Sequence, residues 1–467
     1  MKKNDEFEVT VTDMTDEGLG VGRHEGFTWF IKDSIVGDTV LCGVTKLKKT
    51  YGYARVIRVI SPSKDRIAAP CPVARQCGGC QIQQMSYEAQ LRLKEGKVRN
   101  ALIRLGGFSQ EAVDQVLEPI VPSEKQFRYR NKAQFPIGRD KAGRLSAGFY
   151  AGRTHDMIPC EDCLLGAEEN KTILRAILGW MEELRLEPYD ERTGKGLVRH
   201  VLIRRSRARG SFMVCLVINS DRLPGERELV ARLHELSGRD GISIDSLSFS
   251  SNLRNTNVIM GDSYVTIDGT PYIEDTIRLP GGEDGISFRI SPLSFYQVNP
   301  EQMERLYAGA LEFAGLTGRE TVWDLYCGIG TISLFLARSA AKVYGVEIVP
   351  QAIEDARDNA LRNGIANAEF YTGKAEEVLP RWYEEHRGSG SAGLAPDVIV
   401  VDPPRKGCDE ACLETMVAMA PDRIVYVSCN PATLARDLRY LCDHGYELRR
   451  ARPYDLFPQS VHCETVV

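Results

Sequence analysis

With 467 residues, 43% hydrophobic and 26% charged, the chain has ordinary globular composition and room for roughly three domains at ~150 residues each. Lys and Arg number 59 against 64 Asp and Glu, so at a net charge of -5 a polyanion must be met by a local basic patch. The absence of a signal-peptide core or a long apolar run excludes secretion and membrane insertion, and thirteen cysteines in a chain expected in the cytoplasm argue for metal or catalytic use over disulfides.

Residues 1–62 read as short alternating strands (FEVTVTDM, TWFIKD, TVLCGVTKLKKT, YGYARVIRVI) broken by GLGVGRHEG and VGD, a spacing that predicts a small β-barrel. Its end is basic, with Lys46, Lys48, Lys49, Arg55, Arg58, Lys64 and Arg66 against Asp65 alone. A central α+β region, 63–285, opens with a cysteine cluster after Pro70. There follows SYEAQLRLKEGKVRNALIRLGG, whose apolar spacing predicts a helix stopped at Gly106 and Gly107. LVRHVLIRRSRARGSFMVCLVIN predicts a β-hairpin. Between Arg192 and Arg209 stand seven Lys or Arg and no acid, which on a two-stranded ribbon would form one dense patch for RNA or DNA phosphates.

Residues 286–467 alternate strand and helix: TVWDLYC, ISLFLARSA, KVYGVE, QAIEDARDNALRNG, AEFYTG, DVIVVD, RIVYVSC and a closing strand pair. The pattern predicts an α/β, doubly wound, mostly parallel sheet with ligands at the carboxyl ends of its strands. RGSGSAGLAP, 387 to 396, reads as a surface loop within it.

The first strand ends at Asp324, and Gly328 and Gly330 allow the following turn to pass close to a ligand. The second strand ends in Glu347, placed to accept hydrogen bonds from a ribose diol. Ser333 stands where a third glycine would complete a pyrophosphate fingerprint, which favours S-adenosylmethionine over NAD. PDVIVVDPPRKG then puts Asp402 and two prolines at a strand end, where methyltransferases of this architecture bring substrate to the methyl sulfonium. Arg405 and Lys406 follow in place of a stacking aromatic residue, which disfavours an exocyclic nitrogen as the target.

RIVYVSC ends in Cys429, and Asn430 and Pro431 open the next helix, so the thiol is expected beside a helix N-terminus that favours thiolate. A nucleophile has a chemical use here. Carbon 5 of uracil attacks a methyl group poorly until a thiolate adds at carbon 6 and turns the ring into an enolate. The carbon 5 proton must then leave, and PYDLFPQSVHCETVV offers Glu464 as acceptor and His462 to orient substrate, with Cys463 facing away. Only three residues follow Glu464, so a short last strand is expected. Cys215 and Cys327 read as core residues.

The segments LSFYQVNP, DLYCGIGTISL, GVE, VDPPRKG, VSCNPATLARDL and FPQSVHCE together resemble the RNA uracil-C5 methyltransferase family, in its bacterial branch acting on 23S ribosomal RNA. The resemblance implies a TRAM domain for the barrel, cofactor contacts from Gln297, Tyr326, Glu347 and Asp402, Cys429 as nucleophile and Glu464 as proton acceptor. It also implies a 4Fe-4S cluster on Cys71, Cys77, Cys80 and a later cysteine. Taken without the family, three clustered thiols plus a fourth suit zinc or iron and sulfur equally, and a CGGC redox pair is a third reading. HDMIPCEDCLLG holds both Cys160 and Cys163, of which Cys163 fits the pattern better. Lys374 stands where many cofactor sites carry an acid or amide, so no adenine contact is assigned there. The expectation is a monomer that flips a uridine into its cleft. The alternatives are a transfer RNA substrate, or an RNA-binding assembly factor without activity.

Overall fold

The computed structural model describes every residue except 153, 155, 283 and 387–395, so the expected loop at 387–396 lies outside the described residues but for its last position. Five strands, β1 (Glu6–Met14), β2 (Gly20–His24), β3 (Phe27–Lys32), β4 (Thr39–Leu47) and β5 (Tyr51–Ser61), close a barrel in the order β1-β2-β3-β5-β4. Strict alternation drives Phe7, Val9 and Val11 inward onto Trp29 and Ile31.

The helix α1 (Tyr87–Arg104) is capped by Ser86, whose hydroxyl accepts from the Ala89 amide, and α2 (Gln110–Val116) follows it. Lys94 of α1 is fully buried and pairs with the equally buried Asp455 at 2.5 Å. Gln90 and Gln459 exchange two hydrogen bonds beside that pair, so α1 is fastened to the last segment of the chain.

Strands β6 (Lys132–Arg139), β7 (Leu145–Tyr150) and β8 (Met157–Pro159), helix α3 (Asn170–Glu183), strands β9 (Val198–Arg205) and β10 (Phe212–Ile218), helix α4 (Glu226–Asp240), and strands β11 (Ile244–Ser251) and β12 (Val265–Gly269) build the central layer. Its sheet runs β12-β11-β10-β9-β6-β7-β8, with α3 and α4 packed on one face.

The hairpin β9–β10 forms as expected, yet its cations do not make the expected patch. Arg199 and Arg204 are buried and donate to backbone carbonyls, of Asn252 and Arg254 and of Ser294. Arg205 pairs with Glu169, Arg207 with Glu304, Arg209 with Glu274 and Arg192 with Asp190, leaving Lys195 exposed. The run is free of acids along the chain but not in space, because neighbouring elements supply the carboxylates.

A two-stranded ladder, β13 (Ile273–Ile277) with β14 (Ile286–Ile290), leads into the last domain. Its elements are α5 (Pro300–Ala314), β15 (Thr321–Leu325), α6 (Thr331–Ala337), β16 (Lys342–Glu347), α7 (Pro350–Arg362), β17 (Ala368–Thr372), α8 (Ala375–His386), β18 (Val398–Val401), α9 (Glu410–Met419), β19 (Arg423–Ser428), α10 (Pro431–Asp443), β20 (Arg452–Tyr454) and β21 (Glu464–Val466). The sheet order is β17-β16-β15-β18-β19-β21-β20, parallel from β17 to β19 with β21 antiparallel between β19 and β20. The chain reverses direction across the sheet between β15 and β18, which opens a crevice at their carboxyl ends. Among the described residues no helix is long and apolar enough to cross a membrane.

Candidate active site

That crevice is a cavity of about 830 Å³ lined by Gln297, Tyr326, Glu347, Asp402, Cys429 and Glu464. Each residue comes from a different element end. Glu347 closes β16, Asp402 follows β18, Cys429 follows β19, and Glu464 opens β21. Although β21 has three residues, it is paired on both sides, to Tyr454 of β20 through Glu464 itself and to Ser428 of β19 through Thr465. A short strand in the interior of a sheet holds its first side chain as firmly as a longer one at the edge.

One end of the cavity is polar backbone. Tyr326 sits in the left-handed region with φ 68°, which is strained for a residue with a side chain. Gly328, at φ 55°, has open space where a Cβ would stand. Glu347 accepts from the amides of Gly328 at 3.3 Å and Val349 at 3.0 Å, which orients its carboxylate. Ser333 turns the absence of a third glycine to use, since its hydroxyl donates to Asp324. The other Asp324 oxygen is buried without a partner, an acceptor available to a ligand donor. Together these features fit a ligand with a ribose and an ammonium group.

The same cavity holds buried titratable groups. Burial, then the nearby Asp402, push the Glu464 carboxyl up to about 8, against the pull of Arg405. Burial pushes Asp402 up to about 7. The Cys429 thiol is pushed up to about 12 by burial, then by Glu464 and Asp402. The thiol stands just before α10, as the sequence predicts, with burial and the two acids acting against thiolate there. Asn430 caps α10 by accepting from the Ala432 amide at 3.1 Å, and Pro431 has no N–H to offer. His462 lines the same cavity as a neutral ring, held down to about 4 by burial and then by Arg405. Cys463 faces away, its thiol toward the Tyr454 carbonyl. Cys215 is core, as expected, whereas Cys327 is buried but borders the cavity. Lys374 also lines it, paired to Glu377 at 3.3 Å.

Sequence reasoning missed Arg130, Phe295 and Phe457, all on the cavity wall, the Phe295 ring 69% exposed. Arg130 carried a signal in the basic run RYRNK, whereas Phe295 and Phe457 sit inside the quoted motifs without a chemistry of their own.

Cys71, Cys77, Cys80, Cys160 and Cys163 are free and half-buried. The loop bearing Cys77 bridges to Ala151, past the end of β7, which brings two distant segments together. Cys77 and Cys80 each feel the charges of Cys163 and Cys71, and Cys160 feels Cys163, Cys71 and Cys77. The Cys163 sulfur also receives the amides of Leu165 and Gly166. Among the described residues no three potential ligands converge on a single metal position.

Residues 258–467 match the family model described as tRNA (Uracil-5-)-methyltransferase, and residues 2–57 match that of the TRAM domain. Over its whole length the chain is similar to an RNA methyltransferase of Halalkalibacterium halodurans, 48% identical across 97% of that protein. It is similar also to one of Listeria innocua, 45% identical across 98%. Both relatives are described as uncharacterised. Among solved structures, the Pyrococcus abyssi tRNA (uracil-54, C5)-methyltransferase in complex with S-adenosyl-L-homocysteine is 25% identical. It superposes with a TM-score of 0.76 over 98% of both chains.

Proposed function

The chain belongs to the RNA uracil-5-methyltransferase family, with a TRAM domain at its N-terminus, and from that premise we propose that it converts a uridine of 23S ribosomal RNA to 5-methyluridine through a covalent Cys429 adduct. The observation that carries this reading is the meeting of Cys429, Glu464 and Asp402 in one cavity at the carboxyl ends of the sheet. Gln297, Tyr326, Glu347 and Asp402 would hold S-adenosylmethionine, which when bound supplies an electrophilic methyl group.

Cys429 first gives up its proton to solvent, its sulfur then forms a bond to carbon 6 of the flipped uracil, and the carbon 5–carbon 6 π pair moves toward the carbonyl as an enolate. Once carbon 5 carries the methyl group, Glu464 takes its proton; the pair left behind restores the double bond and expels the thiolate. A carboxyl raised to about 8 suits this work, because a base whose pKa lies near the working pH is both available and strong enough. Free Cys429 is largely thiol at neutral pH, so kcat/KM should follow the product of two deprotonated fractions and rise across pH 6 to 9.

We assign Cys71, Cys77, Cys80 and Cys163 to a four-iron cluster with a structural role. The reading rests on the family resemblance and on the mutual influence of these thiols, which Cys80 feels from Cys163, Cys77 and Cys71. Cys163 is preferred to Cys160 because two amides already point at its sulfur. Anaerobically purified protein should carry about four irons and matching sulfide per chain; iron-free protein would remove the assignment.

Two variants test the mechanism. Cys429→Ala should lose methyl transfer by at least about four orders of magnitude while still binding S-adenosylhomocysteine; full activity would sink it. Glu464→Gln should accumulate a covalent enzyme–RNA adduct on a denaturing gel, and its absence would remove Glu464 as proton acceptor. The matching tRNA (Uracil-5-)-methyltransferase family and the similarity to the Pyrococcus abyssi tRNA (uracil-54, C5)-methyltransferase favour transfer RNA as the second reading. Mapping 5-methyluridine in ribosomal and transfer RNA from cells with and without the gene separates the two.

A further inference from the structure

Three cations gather beside the cavity. The β6–β9 register sets Lys132 opposite Arg204, so both side chains leave the sheet on one face, and Arg130, just ahead of β6, lies near enough to act on Lys132. Leu202, two residues before Arg204, packs into the core shared with the methyltransferase domain, and Arg204 donates to the Ser294 carbonyl, next to Phe295 of the cavity wall. Arg130 lines the cavity together with Phe457 and His462.

Among the described residues none of the three has an acidic partner, although the other arginines of the hairpin beyond the buried Arg199 each have one. Arg204 is buried, with Nε and Nη1 unpartnered, and the Arg130 Nε is buried and unpartnered too. The Lys132 ammonium is held down to about 8 by burial, then by Arg204 and Arg130. Asp275 acts on Arg204, but its carboxylate is engaged by the Ala208 amide, Ser206 and the Tyr296 hydroxyl. Gathering like charges without a counter-ion is costly unless an anion arrives.

We propose that Arg130 and Lys132, with Arg204 beneath them, seat a backbone phosphate of the RNA strand next to the uridine that enters the cavity. The proposal rests on the RNA methyltransferase reading, and it names where the strand is gripped. A phosphate here would hold the extruded nucleotide from its backbone, leaving the base to the cavity. The carboxylate of the cofactor is the competing anion.

The test compares Arg130→Gln and Lys132→Gln with the charge-keeping Lys132→Arg. Binding of a labelled oligouridylate is followed over a salt series, and S-adenosylhomocysteine binding by calorimetry, which also reports folding. Each Gln variant should lower the slope of log affinity against log salt by ~0.7 and weaken binding roughly three- to tenfold at low salt. Lys132→Arg should keep the wild-type slope, and S-adenosylhomocysteine affinity should stay within about twofold in all three. Unchanged slopes in both Gln variants would overturn the seat, as would weakened S-adenosylhomocysteine binding with the slope intact, which would give the cations to the cofactor. Variants that show the expected slopes beside a wild-type protein that methylates no RNA would remove the methyltransferase reading and leave the seat standing.

Discussion

On the barrel, Lys46, Lys48, Lys49, Arg55 and Arg58 stand exposed, and among the described residues none of them pairs with an acid. On the central hairpin, an equally basic stretch is turned inward or matched, with Arg199 held by two carbonyls at 2.8 Å and stacked 4.3 Å over the Tyr189 ring. Both segments read as nucleic-acid surfaces along the chain. The difference lies in what surrounds them: β4, β5 and the turn between them carry their cations outward from a small barrel, whereas the β9–β10 hairpin lies within a seven-stranded sheet and meets acids from the start of α3, from α5 and from β13. Charge density in sequence becomes a binding field only where the fold leaves it unpaired.

The largest effect that would sharpen this contrast is on the barrel. Replacing its five exposed cations together by Gln should weaken RNA binding about a hundredfold at moderate salt and flatten the salt dependence, with the melting temperature unchanged. A variant that binds RNA as wild type does would move the interface elsewhere. On the hairpin the expected signature is reversed. Arg199→Ala strands two carbonyls and removes a stacked cation, so it should cost about 2–4 kcal/mol of stability while leaving the salt slope alone. Lower RNA affinity at unchanged stability would show that the hairpin reaches RNA after all.

The same contrast explains how much was legible. Asp324, Glu347, Asp402 and Cys429 were readable because each ends a strand in a repeating strand–turn–helix unit, where position in the unit fixes position at the crevice. The insertion of β21 between β19 and β20 was not readable, since three residues acquire strand geometry only from neighbours on either side. The raised Cys429 thiol was hidden for a related reason. Its neighbours Asp402 and Glu464 come from remote segments, and the adjacent helix start is consumed by Asn430. Arg130 and Lys132 likewise become significant only where β6 meets β9.

The smallest expected effect concerns the buried acids, the counterpart of the hairpin's buried cations. The hairpin satisfies its inward charges, whereas the cavity raises Glu464 to about 8 and Asp402 to about 7, chiefly by burial. For each, the unfolded chain gives up its proton first, near 4.5 for Glu464 and 3.8 for Asp402. Between those values and the raised ones the folded state binds more protons, so stability falls as pH rises and levels off above about 8. His462 and His200, both held down to about 4, push the opposite way below 6.5, and Glu312 and Glu320, held down to about 2, titrate lower still. Asp324, buried in the same cavity and held up to about 7, adds to the fall, while Lys132, held down to about 8, opposes it from there upward. The window from about 6.5 to 7.5 therefore isolates the cavity acids. There the ligand-free wild type should lose a few degrees of melting temperature with rising pH, and Glu464→Gln, which has no proton to lose, should lose less. Identical slopes for the two proteins would mean that Glu464 is already ionised below that window, and that the cavity, like the hairpin, compensates the charge it buries.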